Sequence, residues 1–416
     1  MIINTFTLNN FRCFESVDLQ LHHRLNVLVG VNGVGKTTML EALRIFLGSI
    51  FVEMNKIDNK IYSPSILIDD VRMLHLEPQP PVKIWGEVGM SEHIWDSTKP
   101  SIWGRTLNTL KGKTIYDNRP CIQNISSTIQ RLIREGSELP VPLVAYYSTN
   151  RYKKEKRNTG LVADGSRLRG YYNALDTTTN VWFFLDVYKT ATLAQLQGRH
   201  ETPILEAVHD TVVSVIPLCT NIWYDAKKDG LYLDMTNGET IPFNALSDGV
   251  RCMVAMTFEL AIRCYLLNPF LGKDATKQTP GVVLIDEIDL HLHPSWQHHV
   301  LNDLVAAFPM IQFIVTTHAP IVLQSVYDCK VFSLTDSKAY IFPPQYKREV
   351  SAILHDMGAI QGIENCEQKL SEYRLLIEQG KGRTNEALKL RETLNNLMGM
   401  THSELQRADV MLELYA

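Results

Sequence analysis

The run Gly30-Val31-Asn32-Gly33-Val34-Gly35-Lys36-Thr37 constrains this chain more than any other stretch of it. It fits G-x-x-x-x-G-K-[ST] at every fixed position. The flanks are those the motif needs. "RLNVLVG" before it reads as a buried strand, and "KTTMLEALRIFLGSIF" after it places Leu40, Leu43, Phe46 and Leu47 on one helical face. A turn this rich in glycine lets successive backbone N–H groups close around a phosphate, and the helix behind it adds the positive end of its dipole. In such a loop Lys36 reaches the β- and γ-phosphate oxygens and the Thr37 hydroxyl ligates Mg2+. Thr38 completes the nucleotide-binding stretch.

Three later segments supply what a phosphate loop lacks. "GVVLIDEIDLHLHP" runs four apolar residues into adjacent carboxylates, so Asp286 and Glu287 emerge at the end of a buried strand. There Asp286 is placed to hold Mg2+ and Glu287 to polarise an attacking water. "IQFIVTTHAP" is a second buried strand, ending in Thr316, Thr317 and His318, and a histidine at such a tip can hydrogen-bond a γ-phosphate. "LSDGVR", with Ser247 and Gly249, opens the long helix "RCMVAMTFELAIRCYLL"; taken alone it is a helix cap by Ser247 or Asp248. His291 and His293 lie two apart in a loop before Pro294, which is not the spacing of a helical zinc pair.

These four segments, in this order, resemble an ABC-type ATPase head of the RecF and SMC group. The resemblance implies an α/β fold: a P-loop ABC-type ATPase head with a mixed sheet, an inserted α+β lobe and a small helical C-terminal module. The head is expected over residues 1–345, with the lobe at about 50–240, and the module over 346–416. In that group the serine-glycine turn is the signature motif, which binds the γ-phosphate held by the other protomer. Ser247 and Gly249 would therefore act in trans, in a homodimer closed head-to-tail around two ATP. The transporter-type signature L-S-G-G-Q is here Leu246-Ser247-Asp248-Gly249-Val250, and the group's D-loop aspartate falls near His293. "NNFRCF" resembles the first strand pair of RecF-like heads, which would bring Arg12 near the nucleotide.

A narrower resemblance, carried by "DEIDLHLHP", "LVAYYSTNR" and the short helical tail, is to the PtuA ATPases of Septu-type antiphage systems, which also occur in retrons. It implies an HNH nuclease partner of the PtuB kind and, in a retron, a reverse transcriptase with its msDNA. No long heptad run is present, which sets the chain apart from proteins with SMC arms. Fewer than 100 residues follow His318 and they contain no D-x-D, so no nuclease domain of its own is expected. Two other readings stand beside this one, a RecF-like DNA repair or recombination ATPase and, more remotely, the nucleotide-binding subunit of a transporter.

Composition narrows the setting. Net charge is −4, so no overall basic field draws the molecule to nucleic acid or anionic membrane. The local run 151–170 holds seven basic and two acidic residues; it is either a phosphate-gripping patch or a solvated loop. Arg151 at its start, after a strand, either faces the nucleotide or is structural. The seven cysteines include no C-x-x-C pair, the N-terminus lacks a signal-peptide pattern, and no apolar run is long enough to span a membrane. A cytoplasmic location without membrane contact is expected.

Overall fold

The computed structural model describes the chain apart from residues 57, 59–60, 97, 150–165, 179–180, 199–202, 344, 358–362, 399–402 and 415–416. It divides into two compact units, Met1–Arg348 and Glu349–Ala416.

The first unit is built on a six-stranded sheet. Its order is Lys338–Phe342, Lys330–Thr335, β3 (Leu25–Val29), Ile311–Thr316, Gly281–Ile285 and Leu143–Tyr147. All neighbours are parallel except the hairpin pair at the Lys338–Phe342 edge. Every residue of β3, Leu143–Tyr147, Gly281–Ile285 and Ile311–Thr316 is buried. Such strands read as continuous apolar runs because both faces are covered.

A second, antiparallel sheet of five strands contains β1 (Ile2–Phe11) and β2 (Phe14–Gln20), followed by Val82–Gly89, Ile102–Leu107 and Ile115–Asp117. Helix α1 (Lys36–Leu47) packs against this sheet through Phe46, which stacks on Trp103 at 5.2 Å and meets the edge of Phe6 at 5.8 Å. Gly86 is needed there, since a Cβ would fall 2.4 Å from the Thr5 carbonyl oxygen. Helices α2 (Arg119–Arg134), α3 (Val181–Leu196), α4 (Pro203–Val215) and α5 (Asp248–Leu267) and a three-stranded sheet over Cys219–Pro242 also belong to the unit. Asp229 and Gly238, at the two hairpin turns, both have positive φ.

Within the stretch 50–240, residues 82–117 extend the sheet begun by β1 and β2, and Leu143–Tyr147 is an edge strand of the central sheet. The expected helix "SWQHHVLNDLVAAF" is two pieces, Pro294–Gln297 and Val300–Ala307. Pro294 starts the first and the weak helix formers His298 and His299 separate them.

The second unit contains Val350–Asp356, Ile363–Glu378, Asn385–Met398 and Ser403–Leu414. Its core joins Leu370, Tyr373 and Ile377 to Ala387, Leu394, Leu405 and Ala408. Arg374 pairs with Glu404, and Arg391 donates to Asp409 at 2.8 Å.

A candidate nucleotide site at the carboxyl ends of the core strands

Parallel pairing brings the sequence motifs together. β3 leads into the phosphate loop; Leu28 in it pairs with Thr316, and Val315 pairs with Ile285, the residue before Asp286. Three strands therefore end side by side, and their carboxyl ends are where ligands bind in open α/β sheets.

The loop itself takes backbone conformations that favour glycine. Gly33 and Gly35 have φ of 84° and 103°, and Gly35 is the N-cap of α1. A Cβ on Gly35 would lie 2.7 Å from both Cys13 Sγ and the Phe14 ring, so the β1–β2 turn rests on the loop. Val31, Asn32 and Gly33 are exposed, Val34 is half-buried, and Thr38 touches Cys13. Lys36 is buried, and its ammonium donates to the carbonyls of Gly30 and Val31, each at 2.9 Å. Burial lowers its pKa, and the charges of Glu287, Asp286 and Asp289 oppose that shift.

Asp286 is the centre of the arrangement. It accepts from Thr37 Oγ1 on Oδ2 at 2.8 Å and from Thr316 Oγ1 on Oδ1 at 2.7 Å, while its N–H donates to Tyr147 O at 2.8 Å. Glu287 follows with φ of 48°, and its N–H donates to Thr316 Oγ1 at 2.7 Å. Thr317 Oγ1 donates to Asp289 Oδ1 at 2.6 Å and so ties the two strand ends together a second time. His318 is half-buried beside them. Its pKa is lowered, first by burial and then by the Lys36 charge, against the pull of Asp289, Glu287 and Asp286. Thr316 and Asp289 are functional candidates to which the sequence motifs assign no role. The available signal was a buried hydroxyl in an Ile-Phe-Val strand, which must find a partner.

The "LSDGVR" turn lies apart in its bonding. Ser247 is the N-cap residue of α5 by position, yet its hydroxyl makes no capping bond and is exposed. Its backbone carbonyl accepts from Arg251 N–H at 2.8 Å, and Ser247 makes no hydrogen bond to the phosphate loop of its own chain. Asp248 pairs with Arg251. Gly249 is buried against the backbone of His291.

Other sequence candidates find structural uses. Arg12, at the β1–β2 turn, is held by Asp70, with Nε at 2.9 Å from Oδ1. Arg151 and most of the basic run 151–170 lie outside the described residues. Arg167 from that run is buried and donates to Ser137 O at 2.6 Å and Leu267 O at 2.5 Å, so it packs the fold and offers nothing to a phosphate backbone. His293 accepts from Ser295 N–H at the start of Pro294–Gln297. Among the described residues no group of three His, Cys, Asp or Glu side chains could hold a metal ion, and no helix is long and apolar enough to cross a membrane.

The fold matches the SMC head bound to the C-winged helix domain of ScpA, with a TM-score of 0.50 at 14% identity over 82% of this chain and 97% of that one. The head thus has the ABC-type ATPase fold. The chain is 24% identical to Septu protein PtuA of Bacillus mycoides over 90% of its own length and 47% of the relative's. It is 30% identical to the "Retron Ec83 probable ATPase" of Escherichia coli over 50% of its own length and 39% of the relative's. The chain spans less than half the length of each of these two curated relatives. Residues 25–324, which hold the phosphate loop, the Ser247 turn, Asp286, Glu287 and His318, match one protein family throughout, and the chain belongs to that family, described as "AAA domain, putative AbiEii toxin, Type IV TA system".

Proposed function

We propose that this chain binds ATP with Mg2+ and hydrolyses it, as the ATPase subunit of a cytoplasmic antiphage defence complex of the Septu or retron kind. The hydrogen bond from Thr37 to Asp286 carries the chemical part of this reading. It joins a phosphate-loop hydroxyl to a strand-end carboxylate 249 residues away. Two oxygen donors suit Mg2+, which keeps waters and phosphate oxygens for the rest of its octahedral shell. Bound by Thr37 and Asp286, the ion would neutralise charge on the phosphate oxygens.

The chain's own residues do the remaining work. The N–H groups of the loop from Gly33 to Thr37 receive the phosphates, and Lys36 exchanges the Gly30 and Val31 carbonyls for phosphate oxygens. Glu287 takes up the proton of the attacking water. His318, half-buried beside Glu287 and Asp286, donates a ring N–H to the γ-phosphate. Ser247 and Gly249 complete the site of a second protomer. The exposed, uncapped Ser247 hydroxyl supports this trans role.

ATP then closes a head-to-tail homodimer and hydrolysis reopens it. The likeness to PtuA and retron ATPases supports coupling of that cycle to an HNH nuclease of the PtuB kind and, in a retron, to a reverse transcriptase with its msDNA. The test is hydrolysis by the purified chain and by Glu287→Gln, with light scattering for mass. Loss of turnover together with an ATP-stabilised dimer is expected. Normal turnover by Glu287→Gln would overturn the assignment.

A further inference from the structure

Thr316 is fully buried at the end of its strand, and its hydroxyl is committed in both directions. The proton goes to Asp286 Oδ1 at 2.7 Å, and a lone pair receives the N–H of Glu287 at 2.7 Å. Its backbone carbonyl also accepts from Ile288 N–H at 3.0 Å. One residue therefore grips the whole turn 286–288 from the neighbouring strand.

Each grip has a chemical consequence. With Oδ1 bound to Thr316, the Asp286 carboxylate cannot rotate freely, and Oδ2 is turned toward Thr37. Glu287 holds a left-handed φ of 48°, a conformation that a residue with a Cβ resists. A fixed acceptor for its N–H keeps the backbone there and so aims the side chain. The anchor is itself rigid, because Thr316 pairs with Leu28 of β3 and Thr317 N–H donates to Leu28 O at 3.2 Å. Leu28 lies two residues before the phosphate loop, so loop and carboxylates share one reference point.

We infer that Thr316 is the positioning residue of this site, orienting Asp286 as a metal ligand and Glu287 as a base through a single hydroxyl. The inference rests on the nucleotide-hydrolysis reading above. A hydroxyl that only satisfied buried polar groups would affect stability and leave metal affinity alone. A hydroxyl that orients a ligand changes the metal itself, since hydrogen-bond partners behind metal ligands are commonly worth 10-fold to 100-fold in affinity or activity.

The experiment uses the full chain with Mn2+ as the probe, titrated by electron paramagnetic resonance in the presence of the slowly hydrolysed analogue ATPγS. Thr316→Val keeps the shape and removes the hydroxyl. It should weaken Mn2+ binding by about tenfold or more and lower kcat by a similar factor. Nucleotide binding in EDTA should be unchanged, and Thr316→Ser should restore both losses. If Thr316→Val is too unstable to load, Thr316→Ala carries the same expectation. Wild-type Mn2+ affinity in the hydroxyl-free variants overturns the proposal, as does a serine variant as impaired as the valine one. A wild-type chain that takes up no Mn2+ with nucleotide overturns the hydrolysis reading as well. Normal loading of wild type with unaffected variants removes only the role of Thr316.

Discussion

A methyl group on the Cα of Gly249 would lie 2.2 Å from the carbonyl oxygen of His291 and 2.9 Å from its carbonyl carbon. The first turn of α5 is therefore seated directly on the backbone of the loop that follows Glu287. This glycine has a packing reason within its own chain, whatever it does for a partner. Gly249→Ala must displace either the helix start or the loop, and neither contact is a side-chain tip that could swing away. It should cost about 1–3 kcal/mol of stability, read by urea denaturation, and should lower ATP turnover because the same loop carries Asp289. Wild-type stability in Gly249→Ala would show that the loop yields.

Ser247, two residues away, should behave in the opposite manner. Its side chain is exposed and caps nothing. Ser247→Arg should stay within about 0.5 kcal/mol of wild-type stability, as surface changes usually do, and should still bind ATP as a monomer. ATP-induced dimerisation, followed by analytical ultracentrifugation, should be lost, and turnover with it. A large loss of stability would instead return the turn to the role of a plain cap.

Glu287 combines a proposed catalytic role with an unfavourable backbone. At φ of 48° an L-residue pays about 1–2 kcal/mol that glycine does not. Glu287→Ala keeps the strain and Glu287→Gly releases it, less the added entropy of the unfolded glycine chain, about 0.5–1 kcal/mol. The glycine variant should therefore be at least as stable as the alanine one, by up to about 1.5 kcal/mol in paired denaturation curves. Both should lose about 10²- to 10⁴-fold in hydrolysis. A glycine variant less stable than the alanine one would mean that the left-handed turn relaxes when the side chain goes.

Much of the candidate site was legible because each part is local. A glycine-rich turn between strand and helix, or two carboxylates closing an apolar run, has its chemistry written within about ten residues. Long-range relations were not legible. Thr316 gains a role only when the register of three strands sets its hydroxyl between Asp286 and Glu287. Ile102–Leu107 hides as a strand because Gly104 makes room for the Ile84 carbonyl oxygen, which a Cβ there would meet at 2.7 Å, and because Arg105 is buried under the Tyr116 ring. Alternation fails there for packing reasons supplied by distant residues. Helix α3 hides differently: apolar side chains lie on all its faces, so no stripe marks it.

His318 gives a pH signature with a definite sign. Its folded pKa is held below 6.5, mainly by burial. Between that lowered value and 6.5 the unfolded chain binds more protons than the folded one, so stability falls as pH is lowered through the window. His318→Gln should flatten the slope of stability against pH on the acid side of 6.5. His22, lowered by burial and by His23, contributes the same slope to both proteins and cancels in the difference. Identical slopes for the two proteins would show that His318 is free to protonate in the folded state.

The ion pair inside α5 sets the last expectation. Arg263 and Glu259 meet at 2.7 Å with side chains 2% and 3% exposed, and Arg263 also donates to Gly170 O at 2.7 Å. Burial raises the Glu259 pKa, and the Arg263 charge opposes that rise. Removing the cation alone, as in Arg263→Met, leaves a carboxylate in an apolar interior and an unpaired carbonyl at Gly170. The cost should be about 3–5 kcal/mol, seen as a fall in the denaturation midpoint. Glu259→Gln in the same chain removes the uncompensated charge and should recover a large part of that loss, because desolvation of the lone carboxylate dominates. A double variant no more stable than Arg263→Met would place the cost in the lost stacking of the guanidinium over the Phe184 ring, whose centroid is 4.6 Å away.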